Sequence, residues 1–134
     1  MFGIFNRDNP KVGLALGGGG ARGFSHLGAL KAFEEFGIKF DYVAGTSAGS
    51  VVGACYAAGL TYEEIYKVAK GIKEKEIRTN KIPFFPSKTE GIENLMKKTI
   101  GDINIEDLKL PFSAIAVDLK STKEVCISKG NLAK

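Results

Sequence analysis

Histidine and cysteine are scarce in this sequence. His26 is the sole histidine, and the two cysteines, Cys55 and Cys126, stand far apart. That scarcity argues against a zinc site and against a disulfide framework, so no metal is expected and both thiols should be reduced. It also excludes a Ser-His-Asp triad unless His26 itself serves. Long apolar runs are missing too. The opening Met1–Asp8 has none of the length a signal peptide needs, and no segment is long enough to cross a bilayer. The location expected from this is the cytoplasm. Charge of one sign is modest: a net +4 fits a mild preference for anionic surfaces but is no footprint of a dedicated nucleic-acid binder. There is no repeat, linker or low-complexity block, and no Asp-Gly pair anywhere in the 134 residues.

What is present is an ordinary apolar fraction, 44%, enough for one domain with a real core. Residues 1–10 form a lead-in. A mostly apolar strand is expected over 11–16, of the kind buried on both faces of a parallel sheet. A helix follows over 22–36, with Phe24, Leu27, Leu30 and Phe33 at helical spacing and Gly37 as its stop. Residues 40–44 read as the next strand. The order strand, helix, strand implies a right-handed crossover and parallel pairing. An apolar and small-residue helix is expected over 48–58, stopped by Gly59. Thr61 and Glu64 form a capping box for a third helix, ending near Ile72. From Lys73 to Lys88 the chain reads as basic and irregular, broken by Pro83 and Pro86. A fourth helix over 91–100, a single turn at 105–108, and two strands over 112–117 and 124–127 complete the chain. The last two strands form a hairpin through Asp118–Lys123.

Two glycine-rich motifs carry the chemistry. The second is Gly45-Thr46-Ser47-Ala48-Gly49, a G-x-S-x-G set between an apolar strand and a small-residue helix. In a nucleophile elbow the serine occupies a strained strand-to-helix turn that holds its Oγ out at the end of the sheet. The flanking glycines let the chain pass close to itself, and the following helix aims its first N–H groups at the serine. An ordinary Gly/Ser turn has the same composition.

The first motif is Gly17 to Gly20 followed by Ala21-Arg22-Gly23. Gly18-Gly19-Gly20-Ala21-Arg22-Gly23 satisfies G-x-G-x-x-G, and Asp41 follows at about the distance of a ribose-binding acid, so a nucleotide-binding module is one reading. Four successive glycines are more open than that fingerprint needs, and a nucleotide domain has no use for the G-x-S-x-G that follows. The other reading is an oxyanion hole, in which Gly19 and Gly20 supply N–H donors and Arg22 orients the loop or adds positive charge. A solvated surface arginine is the plain alternative for Arg22.

The two motifs together, Gly17–Gly28 and then Gly45–Ser50, resemble the patatin-like phospholipases, whose pattern is G-G-G-x-R/K-G followed about two dozen residues later by G-x-S-x-G. Weaker similarity continues through Leu108–Phe112 and Ala116–Leu119, so the resemblance spans nearly the whole chain as an N-terminal portion of that domain. It implies a three-layer α/β/α fold with a mainly parallel central sheet, and acyl-ester hydrolysis by a serine–aspartate dyad without a cofactor. It carries Ser47 as nucleophile, Gly19, Gly20 and Arg22 as the oxyanion loop, and Gly18, Gly23, Gly45 and Gly49 as motif glycines. The family's aspartate lies in an Asp-Gly motif, which this sequence does not contain, so this chain alone is expected to be inactive or weakly active.

Other residues stay open between two roles. His26 is either structural or a base brought to Ser47 by the fold. Asp118 ends a strand and is the best in-chain stand-in for the missing base, or else a hairpin-turn aspartate. Asp41, Asp102 and Asp107 read as boundary or surface residues. Phe84 and Phe85, with Lys75, Arg78 and Lys81 nearby, suit peripheral contact with an anionic membrane, or else fold back as part of a solvated loop. The partners expected are a phospholipid or other acyl ester, with self-association and no nucleic acid. Besides the lipid acyl hydrolase, an acyltransferase and a catalytically dead interaction domain or fragment remain alternatives.

Overall fold

The computed structural model describes residues 10–78 and 90–134. Its sheet has four strands: β1 (Gly13–Leu16), β2 (Tyr42–Gly45), β3 (Phe112–Val117) and β4 (Glu124–Ile127). They lie in that order across the sheet. β1 pairs with β2 in parallel, Gly13 opposite Tyr42 through Leu16 opposite Gly45, and β2 pairs in parallel with β3. β4 returns antiparallel against β3 as the expected hairpin. The helices are α1 (Phe24–Glu35), α2 (Ala48–Ala57), α3 (Tyr62–Arg78) and α4 (Glu90–Ile100), with 3₁₀ turns at Gly20–Gly23 and Ile105–Asp107. The α/β class with a mainly parallel sheet is what the sequence implied.

β1 and β2 alternate, as half-buried strands do. Leu14, Leu16, Val43 and Phe112 are buried, whereas Gly13, Ala15 and Tyr42 are exposed. β1 is therefore covered on one face and not, as its apolar run suggested, on both. The covering element is α2. A β-carbon on Gly53 would sit 3.1 Å from the Phe112 ring, 3.2 Å from Val43 and 3.6 Å from Leu16, so the missing side chain lets the helix settle onto the sheet. Leu27 and Leu30 from α1, Cys55 and Ala57 from α2, Ile65 from α3 and Met96 from α4 close the core over that face. Phe24, at the first position of α1, is partly exposed instead of joining them. The opposite sheet face borders an open hollow of about 740 Å³ lined in part by Ala15, Tyr42, Ala44 and Ser113. Of the three layers the resemblance implies, the described residues supply the sheet and one helical layer.

Two boundaries differ from expectation. α3 runs to Arg78, so Lys73–Arg78 is helical and not irregular. Its Lys-Glu-Lys-Glu run consists of good helix formers, and no breaker occurs before Pro83. The capping box forms at its start: the Thr61 N–H donates to Glu64 Oε2 at 2.8 Å, and Glu64 N–H reaches back to Thr61 Oγ1 at 3.4 Å. The first crossover helix begins at Phe24, because Gly20–Gly23 is wound as a tighter 3₁₀ turn. Gly19 and Gly20 lead into that turn at φ 148° and 53°, values that L side chains rarely adopt.

Candidate active site

β1 and β2 are parallel, so the segments leaving them emerge at the same end of the sheet, where open α/β sheets place their sites. The glycine loop leaves β1 and Ser47 follows β2. The Thr46 N–H donates to Leu16 O at 3.1 Å and ties the two strand ends together.

Ser47 has φ 52° and ψ −124°, well outside the allowed regions for an L residue. It is exposed, and it is the residue at which β2 turns into α2. A non-glycine residue held there costs on the order of 1–3 kcal/mol and persists only when its surroundings enforce it. The surroundings do enforce it. Ser50 Oγ donates to Ser47 O at 2.6 Å, Ser50 N–H donates to the same oxygen at 2.9 Å, and Gly49 N–H donates to Thr46 O at 2.9 Å. A β-carbon on Gly45 would overlap the Gly49 carbonyl and stand 2.7 Å from Ser50 N. One on Gly49 would overlap the Leu16 carbonyl oxygen and stand 2.6 Å from Gly17 O. Neither glycine can be replaced without moving backbone, and no ordinary turn requires that.

The glycine loop lies against this turn. A β-carbon on Gly18 would be 3.3 Å from Ser47 Cβ, and one on Gly23 would be 2.6 Å from Ala48 Cβ. Gly18 is thus a loop residue that lies close enough to the serine to leave little room for a side chain. The sequence marked it only as part of a motif, because a contact between two loops has no signature in either one. Arg22 is exposed; its N–H donates to Gly19 O at 3.0 Å, and its side chain lies beside Gly19, so it braces the bend of the loop.

His26 sits in the first turn of α1 with Nε2 2.8 Å from Gly17 O. A carbonyl oxygen only accepts, so Nε2 carries the hydrogen. Nε2, committed in this way, cannot take a proton from Ser47, and the bond gives His26 a structural role in the glycine loop.

Two of the in-chain aspartates, Asp118 and Asp41, are committed elsewhere. Asp118 closes the β3–β4 turn: its carboxylate accepts from Lys120 N–H at 3.0 Å, from Ser121 N–H at 3.3 Å and from Ser121 Oγ at 2.6 Å. The Ser121 hydroxyl, then the Lys120 amide, hold its carboxyl below the usual range, which makes it a poor base. The hairpin role is the one the structure supports. Asp41 lies just before β2, at the end of the sheet away from the glycine loop. It accepts from Val12 N–H at 2.8 Å and pairs with Lys11 at 3.0 Å. The Val12 amide first, then Lys11, lower its pKa. A ribose-binding acid stands at the loop end of the second strand, so Asp41 does not complete the nucleotide fingerprint. Of the residues proposed for membrane contact, Lys75 and Arg78 belong to α3, and Lys81, Phe84 and Phe85 lie outside the described residues. Among the described residues, no helix is long and apolar enough to cross a membrane.

Comparison with known proteins gives the family. The family model for patatin-like phospholipase matches residues 14–132. The chain belongs to the patatin-like phospholipase family. It is 36% identical over 128 residues to an uncharacterised NTE family protein of Mycobacterium tuberculosis, covering 92% of this chain and 35% of that one. It is 33% identical over 129 residues to neuropathy target esterase sws of Drosophila persimilis, covering 90% of this chain and 9% of the fly protein. The chain thus spans about a third of the mycobacterial relative and less than a tenth of the fly esterase.

Proposed function

We propose that this chain carries the nucleophile half of a serine lipid acyl hydrolase acting on phospholipid, lysophospholipid or a similar ester. The observation that carries the reading is the backbone of Ser47, held at φ 52° and ψ −124° between two glycines that admit no β-carbon. Strain of that size at an exposed serine has a use if the hydroxyl must stand clear of the sheet.

In this reading Ser47 Oγ attacks the ester carbonyl carbon. The C–O π bond opens to an oxyanion, which the N–H groups of Gly19 and Gly20 receive, with Arg22 bracing the loop. Collapse of the tetrahedral species breaks the ester C–O bond, and the departing alkoxide takes up the proton released by the serine. Water then attacks the acyl-serine, releases the fatty acid and restores the hydroxyl. The proton needs a carrier. Asp41, Asp118 and His26 Nε2 are engaged in other bonds, and the base in this reading is the aspartate of the family's Asp-Gly motif, which is not among residues 1–134. A location at the cytoplasmic surface of a membrane fits such a substrate.

The test is ester hydrolysis by this chain and by a version continued through a downstream Asp-Gly segment. A positioned base contributes roughly 10²–10⁴-fold, so the longer form should exceed the shorter by that order in kcat/KM on a short-chain activated ester. Equal rates would place the base inside the 134 residues and overturn the dyad.

A further inference from the structure

We propose that His26 is a positioning residue of the oxyanion loop, acting by holding the plane of the Gly17–Gly18 peptide. The inference rests on the serine-hydrolase reading above. Gly17 O is clamped from two sides. His26 Nε2–H reaches it from α1 at 2.8 Å, and the first turn of α2 lies beneath it, so close that a β-carbon on Gly49 would be 2.6 Å away. The described peptide bonds are all trans. In a planar trans unit the C=O of one residue and the N–H of the next point in opposite directions. Fixing Gly17 O therefore fixes where Gly18 N–H points, and Gly18 lies so near Ser47 that a β-carbon on it would be 3.3 Å from Ser47 Cβ.

The loop needs such a hold. Four successive glycines have more backbone freedom than any other four residues, and rigid donors are what makes an oxyanion hole effective. The carbonyl of Gly19 is held by the Arg22 amide and that of Leu16 by Thr46. His26 supplies the corresponding hold at Gly17, between the other two. Because it is in α1, it couples the loop to the crossover helix, whose Leu27 and Leu30 are buried in the core.

The experiment compares the full chain with His26→Leu, which keeps bulk without a donor, and His26→Gln, whose amide N–H stands at nearly the reach of Nε2. Two readouts are taken: the rate at which a fluorophosphonate labels Ser47, and amide hydrogen exchange at Gly18–Gly20. His26→Leu should slow labelling about tenfold, the net worth of about one hydrogen bond, and speed exchange in the loop but not in α2. His26→Gln should restore both to within about threefold. Leu with both readouts unchanged, or a folded Gln variant as impaired as Leu, would overturn the proposal. If the wild-type chain takes no label, the Ser47 reading fails, and loop exchange alone decides the role of His26. If the Leu variant does not fold, the Gln variant decides: native labelling and exchange support the hold, and their loss in a folded protein refutes it.

Discussion

Gly18 lies so near Ser47 that a β-carbon on the first would be 3.3 Å from that of the second. Two loops separated by more than twenty residues thereby form one site. The margin is a few tenths of an ångström, so Gly18→Ala should push the loop away from the serine without unfolding the sheet. Labelling of Ser47 should fall about tenfold or more, since small misplacements at a reacting centre cost up to about 10²-fold. Thermal denaturation should change little. Unchanged labelling would mean that the contact does not matter to the serine.

The glycines should divide sharply in stability. A β-carbon on Gly49 would meet the Leu16 and Gly17 backbone, whereas one on Gly28, inside α1, would meet nothing within 4 Å. Gly49→Ala should destabilise by about 1–3 kcal/mol or more, as overpacking against backbone does. Gly28→Ala should stabilise by roughly 0.5–1 kcal/mol through helix propensity. Urea denaturation of the two variants measures both effects, and equal effects would contradict the packing described for the turn.

The two cysteines should react differently. Cys55 is wholly buried, and burial pushes its thiol up to about 12, while Cys126 on β4 is exposed. A thiol reagent at neutral pH should therefore modify one cysteine rapidly and the other only on unfolding, because the thiolate is the reactive form. Peptide mapping after brief treatment identifies Cys126 as the reactive one if the core is as described.

Acid should weaken the fold. Asp41, Glu64, Glu106 and Asp118 all have carboxyl pKa values lowered by hydrogen bonds, led respectively by the Val12 amide, the Thr61 amide, Glu106's own amide and the Ser121 hydroxyl. A group with a lower pKa folded than unfolded binds fewer protons in the native state. Its contribution is present above the unfolded value, about 4, and is lost as pH falls through the folded value. Denaturation midpoints should be level from pH 7 to about 5 and decline below about 4. Asp118→Asn should flatten part of that decline, and an unchanged decline would remove the hairpin turn from the list of acid-sensitive points.

Much of this was legible in the sequence because local signals agreed with the fold. The Thr61–Glu64 box, the stops at Gly37 and Gly59, and the strands at 112–117 and 124–127 fell where their residues placed them. So did the sharp turn at Ser47. What the sequence withheld depends on tertiary approach. The Gly18 contact joins two loops, and the His26 bond joins a helix to a carbonyl nine residues earlier. The exposed face of β1 was hidden by composition, since Gly13 and Ala15 are small enough to read as buried on either face. Lys73–Arg78 read as irregular because basic charge and nearby prolines outweighed helix propensity in the reading, while in the fold the helix continues to Arg78.

Ser47 is the group that takes the acyl chain in the proposed reaction. The direct measurement is to treat the chain with a fluorophosphonate, map the adduct by peptide mass spectrometry, and repeat with Ser47→Ala. A single adduct is expected on Ser47, formed slowly in this chain and absent from the folded alanine variant. An adduct on another serine, or the same labelling with and without the Ser47 hydroxyl, would contradict it.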